Sequence, residues 1–134
     1  MKLLKITVLL FVVFLTQTAF KTEKKSVDPD YLVVKFHADW CGNCKAMGSS
    51  FEDLQEKFKE DNIEFVKFDF TDKGTTAKAE AKAEQIGISN ILDENRMTGF
   101  ILIIDNSTKK ILYKLTKRDT VDMMESKIRE FYEG

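Results

Sequence analysis

The two cysteines of this 134-residue chain, Cys41 and Cys44, are separated by Gly42 and Asn43. They lie where a strand-like run ends and a helical pattern begins. A cysteine at a helix start meets unpaired N–H groups and the positive end of the macrodipole, which favour its thiolate. The thiolate is the attacking species in disulfide exchange. Cys44, one turn on, has the reach to attack the Cys41 sulfur and resolve a mixed disulfide. Gly42 and Asn43 tolerate the tight backbone this closure requires.

The same pair admits other chemistry. A structural disulfide across so short a loop adds little constraint to the unfolded chain. A structural zinc site needs four ligands, and the chain adds a single histidine, His37, to its two cysteines. A copper carrier or chaperone recruiting Cys41, Cys44, His37 or Met47 is the alternative, since these are soft or borderline ligands. Met47, however, falls on an apolar stripe and reads as core, while His37 and Asp39 read as partly solvated polar residues.

The elements that must position the pair follow from periodicity. Tyr31–Phe36 is a β-branched and aromatic run of strand length. Met47, Phe51, Leu54 and Phe58 recur at helical spacing, predicting one helix from about Cys44 to Glu60. Ile63–Phe70 alternates like a strand. Thr75–Ile86 is Ala-, Lys- and Glu-rich, with Thr at its start and Gly87 as C-cap, and predicts a surface helix. Ser89–Arg96 allows a short helical turn. Phe100–Ile104 is a continuous apolar run suited to a central strand. Asp105-Asn106-Ser107 supplies turn chemistry before Ile111–Leu115, the hairpin partner. A last helix is expected from Val121 to about Tyr132, capped by Thr120, with Met124, Ile128 and Phe131 inward. The order β-α-β-α-β-β-α predicts an α/β domain over residues 31–134, a mixed central sheet flanked by helices.

At 43% hydrophobic residues and 11 phenylalanines, one ordinary core is within reach. The charges nearly cancel, 21 Lys+Arg against 22 Asp+Glu, so a nucleic-acid partner has no electrostatic support. The N-terminus is different in kind. Lys2 and Lys5 precede an apolar run from Ile6 to Leu15, the size of a signal-peptide core and short of the ~20 residues of a spanning helix. Residues 1–20 are therefore read as a signal peptide or an uncleaved membrane anchor, with residues 6–20 as a possible tether. The cleavage site is poor. Residues 21–30, with Pro29, read as a linker. The expected location is the periplasm or cell envelope, secreted or membrane-anchored.

The stretch VVKFHADWCGNCK followed by an amphipathic helix resembles the active-site region of the thioredoxin superfamily, and the ADWC form is similar to that of periplasmic or membrane-tethered members. The resemblance extends over about Tyr31 to Tyr132. It implies a thioredoxin-like fold and a protein disulfide oxidoreductase in which Cys41 attacks and Cys44 resolves. It implies no cofactor beyond the cysteines, protein thiols and disulfides as partners, and a membrane or envelope redox partner. Trp40 matches the aromatic residue that shields the site.

Two positions depart from the family. A cis-proline is usual opposite the cysteines, but Met97-Thr98-Gly99-Phe100 places Gly99 there. A cis bond before a non-proline residue costs about 3 kcal/mol, so a trans bond is expected. Thr98–Gly99 is expected to present a backbone edge beside Cys41, where an extended substrate could pair. The family also places a buried acid six residues before the first cysteine, where this chain has Lys35. Lys35 is expected to snorkel, burying its stem and keeping its ammonium wet. The sharper reading is that it stays by the site and favours thiolates.

Overall fold

β1, Tyr31–His37, is buried on both faces along Leu32–Phe36, which is why it reads as a continuous apolar run. The computed structural model describes residues 28–134. The signal or anchor expected over 1–20, and the expected linker as far as residue 27, lie outside the described residues. The last linker residues are stitched to the domain. The Asp30 N–H donates to the Asn62 carbonyl at 2.9 Å, and the Asn106 amide donates to the Pro29 carbonyl at 2.6 Å. Among the described residues no helix is long and apolar enough to cross a membrane.

After β1 come α1 (Gly42–Met47), α2 (Ser50–Lys57), β2 (Ile63–Asp69), α3 (Lys73–Gln85), α4 (Ser89–Glu94), β3 (Phe100–Asp105), β4 (Lys110–Thr116) and α5 (Val121–Tyr132). The sheet order is β2-β1-β3-β4. β1 pairs parallel with β2, and β3 runs antiparallel to both β1 and β4. This is the expected mixed α/β architecture, a four-stranded sheet with helices on its faces.

Alternate residues of β1 feed two cores. Leu32, Val34 and Phe36 pack with Ala79 and Ala83 of α3 and with Ile91 of α4. Val33 packs with Met47, Phe51 and Leu54 under α1 and α2, and with Met124 and Ile128 of α5. Phe36 stacks on Phe100 at 4.6 Å between ring centroids and meets Phe68 edge-on at 5.6 Å. Aromatic contact thus clamps the end of β1 that carries the cysteine loop.

The single helix expected over Cys44–Glu60 is two helices. Gly48 takes φ +53, a left-handed value that suits glycine, and its N–H returns to the Lys45 carbonyl, closing α1. The Ser50 hydroxyl donates to the Met47 carbonyl at 2.6 Å across the break. The apolar stripe survives: Met47, Phe51, Leu54 and Phe58 are all buried. α3 begins earlier than expected. Asp72 is its cap, and Thr75 closes a capping box from the third helical position. α5 and its Thr120 cap stand where the sequence puts them, with Met124 and Ile128 buried and Phe131 half-buried.

Candidate active site

The reactive loop leaves β1 at His37 and turns through Ala38, whose carbonyl accepts the Cys41 N–H at 3.0 Å. Cys41 is the N-cap of α1, and its sulfur accepts the Cys44 N–H at 3.2 Å. The sulfur therefore occupies the place a serine or aspartate oxygen takes at an ordinary helix start. Both cysteines are free thiols.

Their environments push them apart. Burial disfavours the Cys41 thiolate, but hydrogen bonds from the Cys44 thiol, the Thr98 side chain and the N–H groups of Cys44 and Asn43 outweigh it. Its pKa lies below the ordinary cysteine range. For Cys44, burial and then donation to Cys41 raise the pKa, and the Lys35 charge works against the rise. The Cys44 thiol also has the Phe36 carbonyl within reach, at 3.7 Å. Donation to Cys41 is favoured when that sulfur is ionised, because a charged acceptor makes the stronger bond. Cys41 is 7% exposed and Cys44 3%, so the order of access is slight and the order of acidity is the larger difference.

Gly99 lies directly against the pair. A Cβ there would overlap Asn43 Cβ and come within 3.2 Å of the Cys41 sulfur. Its φ is +92, its N–H donates to the Phe36 carbonyl at 2.8 Å, and no cis peptide bond occurs among the described residues. Thr98, with Met97 and Arg96, forms one wall of a shallow groove of about 480 Å³ in which Cys41 sits; Trp40, Gly42 and Asn43 form the other. Trp40 is 65% exposed and Met97 76%, so two large apolar side chains stand open beside the sulfur. Trp40 flanks Cys41 rather than covering it. Arg96 is engaged by Glu80 and Asp93. A larger cavity of about 710 Å³, at the opposite end of the strands near Asp30 and Asp105, contains neither cysteine.

Lys35 does not snorkel. Its side chain is 4% exposed, with Nζ 3.8 Å from Glu52 Oε1 and 5.5 Å from the centre of the Phe51 ring. The reason is its place on a central strand whose face α1 and α2 cover, where the stem cannot reach bulk water. His37 Nε2 lies 3.0 Å from Asp39 Oδ1, while its Nδ1 is buried without a partner. Met47 is in the core. Among the described residues no three His, Cys, Asp or Glu side chains converge with metal-holding geometry.

Thr71 is the residue that sequence reasoning misses. Its hydroxyl accepts the Asp39 N–H at 3.0 Å, and its carbonyl accepts Trp40 Nε1–H at 3.2 Å. The hydroxyl in turn donates to Asp69 Oδ1 at 2.5 Å. These bonds fasten the cysteine loop to the end of β2, about thirty residues away in sequence, which no local pattern signals.

A dithiol in which one sulfur caps a helix and the other is buried behind it, following a central strand of a β-α-β-α-β-β-α fold, places the chain in a class of α/β proteins with a cysteine pair at a helix start. The thioredoxin family's sequence model matches residues 11–88, and the chain belongs to the thioredoxin family. It is 37% identical to the thioredoxin of Oryctolagus cuniculus over 68 residues, half of this chain and 63% of that protein. It is 40% identical to the protein disulfide-isomerase of Aspergillus oryzae over 62 residues, 46% of this chain and 12% of that protein. The chain thus spans less than two thirds of these relatives' lengths. In fold it is similar to the thioredoxin domain of a thiol-disulfide oxidoreductase from Bacteroides vulgatus. The TM-score is 0.53 at 16% identity, covering 78% of this chain and 81% of that one. A thioredoxin from Halobacterium salinarum gives a TM-score of 0.51 at 20% identity, over 80% and 79%.

Proposed function

We propose that this protein is a thiol–disulfide oxidoreductase acting on protein substrates, with Cys41 attacking and Cys44 resolving. The observation that carries the reading is the dithiol at one helix start: the Cys41 sulfur caps α1 and accepts the Cys44 N–H at 3.2 Å, with Cys44 buried behind it, an arrangement that favours the thiolate at Cys41 and the thiol at Cys44. In the reducing direction the Cys41 thiolate attacks a substrate disulfide, forming one S–S bond and releasing one substrate thiolate, which takes a proton. Cys44 then loses its proton and attacks the Cys41 sulfur. The Cys41–Cys44 bond forms, the bond to substrate breaks, and two electrons have passed to the substrate as two thiols. The reverse sequence oxidises a substrate dithiol, and the electron supply of the compartment sets the direction.

The exposed pair Trp40 and Met97 supports a protein substrate, since an extended segment carrying a cysteine could lay apolar side chains on both. The basic start and apolar run of the first 20 residues support export to the cell envelope, where an envelope redox partner would recharge the pair. Insulin reduction in the presence of dithiothreitol tests the activity, with and without chelator. Wild type is expected to precipitate the insulin B chain faster than dithiothreitol alone. Stoichiometric metal on the purified protein, together with no disulfide activity, would replace this reading with the metal carrier.

A further inference from the structure

Lys35 is the one buried charged side chain among the described residues. Burying an ammonium is costly unless a partner offsets it. Its ion partner, Glu52, is 55% exposed and stands 3.8 Å away, too far for a charge-assisted hydrogen bond. The Phe51 ring at 5.5 Å adds a weak attraction. Much of the positive charge is therefore left unspent in the interior, and a buried charge with loose pairing next to reactive groups marks a functional position.

The groups around it are few. On its own strand, His37 lies two residues on, and the cross-strand neighbours are the exposed Lys67 of β2 and the uncharged Ile101 of β3. α2 contributes Glu52. α1, packed on the face of β1 that carries Val33 and Lys35, contributes Cys44, whose sulfur is 3.7 Å from the carbonyl of Phe36, the residue after Lys35, together with the exposed Lys45 and, at its cap, Cys41. Of these, Cys44 is buried and must become an anion within a low-polarity site to complete the exchange.

We propose that Lys35 is a positioning residue for the second half of the exchange: its buried ammonium, balanced by Glu52, stabilises the negative charge on the Cys44 sulfur as it attacks the mixed disulfide at Cys41. The inference rests on the dithiol reading above. In that step the Cys44 proton leaves to solvent, the Cys44 sulfur bonds to the Cys41 sulfur, and the substrate sulfur departs with the electron pair of the broken bond and is protonated. Lys35 exchanges no proton and forms no bond. The direction in which its charge acts on Cys44 agrees with this role.

The experiment uses Cys41→Ser, in which Cys44 is the single thiol, and follows thiolate absorbance in the ultraviolet against pH. Lys35→Met is expected to raise the Cys44 midpoint by about one pH unit. Glu52→Gln, which removes the opposing charge at an exposed position, is expected to lower it. In the two-cysteine protein, a mixed disulfide formed between Cys41 and glutathione should resolve about tenfold more slowly in Lys35→Met below the midpoint. It should resolve faster in Glu52→Gln, while first attack by Cys41 on a small disulfide keeps its rate in both. Midpoints that stay put, or that move the same way in both variants, overturn the proposal. Should Lys35→Met fail to fold, Glu52→Gln decides: a downward shift supports it and no shift overturns it. Absence of disulfide exchange by wild type would sink the dithiol reading, whereas the Cys44 titration would still report the charge of Lys35.

Discussion

Gly99 and Asn43 are packed so closely that the space for a Cβ on Gly99 is already occupied by the Cβ of Asn43. The left-handed φ of Gly99 adds a second demand that favours glycine, and its N–H bond to Phe36 adds a third that excludes proline. Gly99→Ala is expected to cost about 1–2 kcal/mol from its backbone conformation, with the overlap adding to it. Gly99→Pro, which also loses the N–H, should cost about 3 kcal/mol or more. Urea unfolding checks both. Asn43→Gly in the same chain should recover part of the alanine penalty, and a double-mutant cycle showing strict additivity would refute the contact.

The cysteines are expected to fail differently. Cys41→Ser should abolish attack on substrate disulfides, whereas Cys44→Ser should attack and then stall, leaving mixed disulfides at Cys41. Mass spectrometry of adducts trapped in the native cell would read out the partners. If Cys44→Ser traps nothing while wild type remains active, the assigned roles are wrong.

Acidity provides a separate check. At neutral pH, iodoacetamide should modify Cys41 first, and the pH midpoint of its alkylation should lie below that of Cys44. Stability follows with opposite signs. A depressed Cys41 pKa contributes stability that is fully present above the unfolded-state value and is lost as pH falls through the folded value. The raised Cys44 pKa contributes stability present below the unfolded-state value and lost as pH rises through the folded one. Removing Cys41 should therefore alter the pH dependence of unfolding below the unfolded-state thiol value, and removing Cys44 should alter it above that value, in opposite senses.

Trp40→Ala separates recognition from folding. The side chain is 65% exposed, and its anchoring bond to Thr71 is at the surface. Unfolding stability should change by less than about 1 kcal/mol. KM for a protein disulfide should rise, while the rate with a small disulfide stays near wild type. Equal losses on both substrates would show that Trp40 serves the chemistry rather than the substrate surface.

Much of this arrangement is written locally. The period of Met47, Phe51, Leu54 and Phe58 marks a buried helical stripe, and the run Phe100–Ile104 marks a strand covered on both sides. Thr120 marks its helix by its own side chain, which accepts the Met123 N–H. What escapes local reading depends on distant residues. Periodicity passes through Gly48 unchanged because the stripe stays in phase across the break. Lys35 is judged from lysine's habits, yet its burial is decided by helices laid over a strand. Thr71 acquires its role by meeting a loop far away in the chain.

The Phe36 carbonyl receives the Gly99 N–H at 2.8 Å and has the Cys44 thiol within reach at 3.7 Å as a second, competing donor. Closing the Cys41–Cys44 bond consumes the thiol hydrogen, so in the oxidised protein the oxygen keeps one of these two donors. Freed of competition, the Gly99 N–H bond should tighten. The Gly99 amide resonance should accordingly move downfield on oxidation. A nuclear magnetic resonance signal from the backbone across the groove would thus keep time with the turnover of the sulfurs.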